Sequence, residues 1–183
     1  MLSAMSDASQ FPDPGGRPRR IVLLGRAGAG KTTFSSRLAA AIGGEVICLD
    51  AIWRPGWGPD QVPAFRALMQ EAHAAPAWVS DGNFAVATFD IRLPLADLVI
   101  WLDPPVWLCA WRAVLRVTRS GEAHRPSGLP KVLRFIYDFD RVNRPRIEAL
   151  RLEHAPQTPV LRLASKAEIQ RFLAAVDHMA PQR

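Results

Sequence analysis

Apolar residues recur along this chain in two alternating rhythms. Short unbroken apolar runs are each followed by a longer stretch in which apolar positions return every three or four residues. The first run, Arg20-Ile21-Val22-Leu23-Leu24, stops at Gly25, the pattern of a parallel strand buried on both faces. Similar runs at residues 45–49, 77–80, 98–102 and 160–163 predict four more strands. Residues 31–42 place Phe34, Leu38, Ala41 and Ile42 on one helical face, and Gly43-Gly44 supplies the stop. Helices are also predicted over 62–74, 106–119, 131–142, 146–152 and 166–176. The last opens on a capping box, Ser165 with Glu168, and turns Ile169, Phe172, Leu173 and Val176 inward. Five strands interleaved with helices predict an α/β fold, a parallel sheet covered on both faces. Residues 1–18, rich in Pro, Gly and Asp, read as a flexible tail, and 19–183 as a single domain without internal repeats.

Composition narrows the class. Of 183 residues, 49% are hydrophobic and 22% charged, which excludes a disordered or collagen-like chain. No apolar run approaches the ~20 residues a membrane-spanning helix needs, and the first twenty residues lack the apolar centre of a secretory signal. Cys48 and Cys109 make neither a metal spacing nor a disulfide framework. The expected setting is the cytoplasm. The net charge of +6 is unevenly spread: residues 112–162 carry 11 basic and 5 acidic side chains, and almost all the cations are arginine. Arginine is the fork that grips phosphate bidentately, so this third of the chain points to phosphate handling.

One motif decides the chemistry. Gly25-Arg26-Ala27-Gly28-Ala29-Gly30-Lys31-Thr32 fits G-x-x-x-x-G-K-[ST], the phosphate-binding P-loop, and Thr33 continues it. Glycines bring backbone N–H groups against phosphate oxygens. The following helix adds its positive end. Lys31 places a charge on the β- and γ-phosphates, and the Thr32 hydroxyl is a ligand for Mg²⁺. The motif follows an apolar strand and opens an amphipathic helix, as nucleotide binding requires. Three aspartates, Asp50, Asp81 and Asp103, close apolar strands at the same sheet edge. Spacing alone does not choose the metal-side acid among them.

With these residues in place, the chain resembles the adenylate-kinase-related P-loop proteins of the topology modulation type, over about residues 20–178. The resemblance rests on the P-loop, on Leu49-Asp50-Ala51-Ile52-Trp53-Arg54-Pro55-Gly56-Trp57, and on Trp78-Val79-Ser80-Asp81-Gly82-Asn83-Phe84. Ala96-Asp97-Leu98-Val99-Ile100-Trp101-Leu102-Asp103 and Asn143-Arg144-Pro145-Arg146-Ile147 complete it. It implies a P-loop NTPase of the nucleoside-monophosphate-kinase type, using ATP and Mg²⁺, with a helical lid at about 112–146. It assigns Asp81 to the Mg²⁺ side and a structural role to Asp103, and similarity to shikimate-kinase-like relatives implies that Asp50 orients the acceptor hydroxyl or takes its proton. The short connection from Asp50 to Trp78 and the Asn83-Phe84 after Gly82 depart from true adenylate kinases, so the acceptor is not fixed as AMP.

Weaker signals qualify the picture. Arg112, Arg116 and Arg119 fall at i, i+4 and i+7, so one helix face carries three guanidinium groups, the expected lid cations over a transferring phosphoryl group. The Gly/Pro-rich stretch 120–130, with Arg125, reads as the loop of that lid. Arg134, Asp138 and Arg141 read as intrahelical ion pairs. Arg144 and Arg146 bracket Pro145, where a helix is expected to restart. Trp53 and Trp57 either stack on an acceptor ring or fill the core, whereas Trp78, Trp101, Trp107 and Trp111 are expected to be packing residues. The four histidines show no metal spacing, and Cys48 reads as a small hydrophobe. The expectation is a small-molecule kinase transferring the γ-phosphoryl of ATP to a nucleoside monophosphate or other hydroxylated acceptor. An ATP-binding, nucleic-acid-associated regulator is the alternative, resting on the arginine-rich third; no DNA-reading motif accompanies it. Oligomeric state is not readable.

Overall fold

The structure is a computed structural model, and it describes residues 18–83, 85–119 and 128–179. The proposed tail (1–17) and most of the proposed lid loop, Arg125 included, lie outside the described residues.

Five strands, β1 (Arg20–Gly25), β2 (Glu45–Cys48), β3 (Trp78–Asp81), β4 (Leu98–Leu102) and β5 (Val160–Leu163), form one sheet in the order β2-β3-β1-β4-β5. Every pairing is parallel, with Leu23 opposite Asp81 and Gly25 opposite Leu102. Alternation along β1 and β4 explains why those sequences are continuously apolar. Ile21, Leu23, Leu98, Ile100 and Leu102 face one layer, against α1 (Lys31–Ile42), α5 (Val106–Arg119) and α8 (Lys166–Met179). Val22, Leu24, Val99 and Trp101 face the other, against α3 (Val62–Ala72), α4 (Ala85–Arg92) and α7 (Arg144–His154). Both faces are buried, so neither shows a polar alternation. Glu168 Oε2 accepts from the Ser165 N–H at 3.1 Å and Ser165 Oγ accepts from the Glu168 N–H at 3.1 Å, closing the expected capping box on α8.

Four features differ from the sequence expectation. The chain turns into a short helix, α2 (Leu49–Ile52), at once after β2, so Asp50 sits in a helical turn and not at a strand end. Helix α4 was not expected at all; its apolar positions show no clean helical period. No break separates 142 from 146: α6 (Leu129–Asp138) runs through a π-helical turn, Phe139–Asn143, into α7. Pro145 stands in the first turn of α7, directly after the π-helical turn. Finally, Trp107 and Trp111 are not packing residues; they are 70% and 57% exposed. The buried face of α5 is made of small residues, Cys109 and Ala113, because α5 lies directly on the P-loop.

Candidate active site

The P-loop leaves β1 at the point where the chain order of the sheet reverses, with β3 on one side and β4 on the other. Such a switch point opens a crevice at the carboxyl ends of the strands. A cavity of about 460 Å³ lies here, lined by P-loop residues, by Asp50, Asp81, Gly82 and Asn83 at the ends of β2 and β3, and by Arg116, Phe135, Asn143, Arg146 and Ile147 from the α5–α7 side.

The P-loop is fixed from several directions. Gly28 has φ +78°, and a Cβ there would stand 2.3 Å from the Cys109 carbonyl oxygen, so only glycine lets α5 rest on the loop. Asn83 Nδ2 donates to the Gly25 carbonyl at 2.8 Å, and its Oδ1 accepts from the Gly25 N–H at 3.2 Å. Arg112 Nη1 reaches the carbonyls of Gly28 (3.3 Å) and Ala29 (3.4 Å). Lys31 Nζ donates to the carbonyls of Gly25 (2.9 Å) and Arg26 (3.2 Å). Burial lowers the Lys31 pKa, opposed by the charges of Asp81 and Asp50. Thr32 Oγ1 donates to Asp81 Oδ2 at 3.1 Å. Burial raises the Asp81 pKa against the pull of Lys31 and the Thr32 bond.

Ala27, Gly28, Gly30, Lys31, Thr32 and Thr33 line the cavity, together with Asp50 and Asp81. Gly25 and Ala29 lie beneath as support. The Arg26 side chain leaves the cavity and is buried against Asp103, Pro104 and Asp140. The three-arginine face divides: Arg112 holds P-loop carbonyls from outside, Arg116 lines the cavity, and the side chain of Arg119 lies outside what the structure describes. Asp103 is enclosed by Arg26, Arg144 and Arg162. Burial acts to raise its pKa, but Arg144 and Arg162 overcome this and hold it below the usual carboxylate range. Trp53 and Trp57 pack edge-to-face on each other, and Trp53 on Phe65, against the core rather than along the cavity. Much of the basic excess is neutralised locally: Arg134 and Arg141 pair with Asp138, and Arg151 with Glu148.

Sequence reasoning did not identify Asn83, Phe135, Asn143 or Ile147 as site residues, and left the direction of Arg146 open. Asn83 and Asn143 stand within the motif segments that carry the resemblance, so their position was visible though not their task. Phe135 and Ile147 look like any other helical core position.

The donor set fits a nucleoside triphosphate with Mg²⁺. Helix α1 begins at Gly30 with no side-chain cap and no acid in its first turn, so its free N–H groups face the cavity beside Lys31. Among the described residues, no group of three or more His, Cys, Asp or Glu is arranged to hold a metal alone. Magnesium would therefore take Thr32, with Asp81 behind it, and complete its shell from phosphate and water, as this reluctantly dehydrated ion usually does.

No family model and no curated protein matches the sequence. Solved structures do match. A shikimate kinase from Acinetobacter baumannii in complex with shikimate aligns with TM-score 0.56 and 21% identity, covering 90% of this chain and 96% of that one. A shikimate kinase from Bacteroides thetaiotaomicron gives 0.56 at 16% identity (89% and 98%), and a gluconokinase from Sinorhizobium meliloti 1021 gives 0.54 at 21% (89% and 94%). What is shared is the fold. These are small-molecule kinases, and the match covers 94% to 98% of their length. Among the described residues no helix is long and apolar enough to cross a membrane.

Proposed function

We propose that this chain is an ATP- and Mg²⁺-dependent kinase that moves the γ-phosphoryl group to a hydroxyl of a small acceptor. The carrying observation is one cavity lined by two chemically distinct sets of residues. One set is the phosphate cradle of Gly28, Gly30, Lys31, Thr32 and Thr33; the other is Asp50, Asn143 and Arg146. A pure nucleotide-binding module has no use for the second set.

Phosphoryl transfer asks the protein for position and charge more than for covalent chemistry. Mg²⁺, when bound, neutralises charge on the phosphates. Lys31 leaves its carbonyl partners to hold the β- and γ-oxygens, and Arg116 meets the charge that spreads over the transferring group. Asp50 orients the acceptor hydroxyl and receives its proton as the new P–O bond forms and the bond to the β-phosphate oxygen breaks. Arg146 supplies a cation for an anionic substituent on the acceptor, a carboxylate or a phosphate, with Phe135 and Ile147 as apolar walls. The adenylate-kinase-like choice, a nucleoside monophosphate, satisfies that description. Hydroxy acids such as the shikimate named with one structural neighbour do so as well.

The test is ATP consumption, with Mg²⁺, against nucleoside monophosphates and hydroxylated carboxylic acids, including shikimate and gluconate. One class should accelerate ADP formation well above the rate with water alone, and Lys31→Ala should remove that acceleration, by roughly 10²–10³. A folded Lys31→Ala protein with full acceptor-dependent turnover would refute the assignment.

A further inference from the structure

The second residue of a P-loop has no chemical reason to be arginine, and here its side chain serves something other than phosphate. Arg26 is 3% exposed. Its Nη1 donates to the Pro104 carbonyl at 3.1 Å, while Nη2 lies 2.5 Å from Asp140 Oδ1 and 3.3 Å from Asp103 Oδ1. Arg144 reaches the same two oxygens, Asp140 at 2.9 Å and Asp103 at 2.6 Å. Arg162 binds the other oxygen of Asp103. The guanidinium of Arg26 also sits 5.7 Å from the Phe139 ring, and that of Arg144 5.0 Å from the Trp101 ring. Arg26 Nε is buried without a hydrogen-bond partner. A buried, incompletely satisfied cation is a poor way to gain stability.

Its placement suggests what it gains instead. Asp140 lies in the π-helical turn Phe139–Asn143, and that turn ends on Asn143, one of the cavity residues; Arg146 and Ile147 follow within the next helical turn. The acceptor-side wall is thus built on the irregular stretch that Arg26 holds. At the other end of the same residue, the Arg26 carbonyl accepts from Lys31 Nζ at 3.2 Å. Phosphate entering the cradle competes for Lys31 and so acts on the Arg26 backbone directly. A π turn is the softer part of a helix and recurs at functional sites. It is a natural place for such a pull to be absorbed.

We infer that Arg26 and Asp140 are positioning residues that couple occupancy of the phosphate cradle to the placement of Asn143 and Arg146 on the acceptor wall. This rests on the kinase reading above and adds to it an order: nucleotide first sets the wall, then the acceptor finds it formed.

Amide hydrogen exchange of the full chain with and without Mg·ATP tests this without knowing the acceptor, alongside calorimetric Mg·ATP affinity. In the wild type, Mg·ATP should slow exchange across 139–147 by at least about fivefold, the lower end of coupling between linked sites. Asp140→Asn, at a half-exposed position, should bind Mg·ATP within about twofold of wild type yet lose that protection, and Asp140→Glu should restore part of it. Arg26→Lys, which keeps the buried charge but not the fork, should also lose it and covers the case in which Asp140→Asn does not fold. Mg·ATP binding without protection of 139–147, or equal protection in the variants, overturns the coupling and leaves the kinase reading standing. Absence of Mg·ATP binding in the wild type overturns both.

Discussion

His73 shows how a single buried side chain can be dated by pH. Its Nδ1 lies 2.7 Å from the Met69 carbonyl, an acceptor only, so Nδ1 carries the proton and Nε2 accepts from Ser80 Oγ at 2.9 Å. Ser80 Oγ in turn accepts from Arg92 Nη1 at 3.2 Å, and Arg92 Nη2 donates to the Gly82 carbonyl at 2.7 Å. The chain ends beside the cavity and has no room for a second cation. Burial lowers the His73 pKa from 6.5 to about 4, with the Arg92 charge adding to the fall and the Met69 carbonyl opposing it. The folded value lies below the unfolded one, so the unfolded chain binds the extra proton between them. The stabilisation from keeping His73 neutral is therefore complete above about pH 6.5 and is lost as pH falls toward 4, roughly 3 kcal/mol in all. Urea unfolding at several pH values should show this slope in the wild type and about one proton less of it in His73→Gln. Parallel slopes would mean that His73 is hydrated in the folded state.

At the scale of elements, α5 is governed by its small residues. Cys109 and Ala113 are the close-approach face because the P-loop backbone at Gly28 touches the Cys109 carbonyl. Ala113→Leu has nowhere to put three extra carbons except between α5 and the sheet. It should cost about 1–3 kcal/mol by overpacking and weaken Mg·ATP binding as α5 lifts from the loop. Trp111→Ser, on the exposed face, should change stability by less than about 0.5 kcal/mol; denaturant titrations of both variants decide. The same helix shows where sequence reading stops. All five strands and the P-loop were legible, because a short apolar run, doubly buried in β1, β3 and β4, and a glycine-rich turn are dictated locally. The face of α5 was not: large apolar residues suggest burial unless one knows that a neighbouring backbone sits too close for them. Helix α4 was hidden for a related reason, since its buried positions include Thr88 and Arg92, whose polarity masks the period. The unbroken passage from α6 to α7 was hidden by Pro145, which reads as a stop until the preceding turn is seen to be π-helical. Among the residues lining the cavity, the P-loop, Asp50 and Asp81 were singled out by the motifs, whereas Asp103 is enclosed by arginines instead. Asn83, Asn143 and the diversion of Arg26 depended on contacts between residues far apart in sequence.

Across the whole molecule, α5 runs from the P-loop, where Cys109 meets Gly28, to Arg116 on the cavity wall, and its arginines separate accordingly. Arg112 supports the carbonyls of Gly28 and Ala29, which exist before any nucleotide arrives. Its loss should be felt in the ground state: Arg112→Ala is expected to weaken Mg·ATP binding by roughly tenfold, the scale of one hydrogen bond from a charged group, and to raise the KM for ATP with little change in kcat. Arg116, one turn further, lines the cavity itself. If it meets the charge on the transferring phosphoryl, its contribution appears only in the transition state. Arg116→Ala should then leave Mg·ATP affinity nearly unchanged while lowering kcat and kcat/KM together, by about 10²–10³. Calorimetry with Mg·ATP and steady-state kinetics with the acceptor found by the substrate screen separate the two. The reverse pattern, with Arg116 governing affinity and Arg112 governing turnover, would require α5 to rotate about its axis on closing and would place the catalytic cation on the P-loop side.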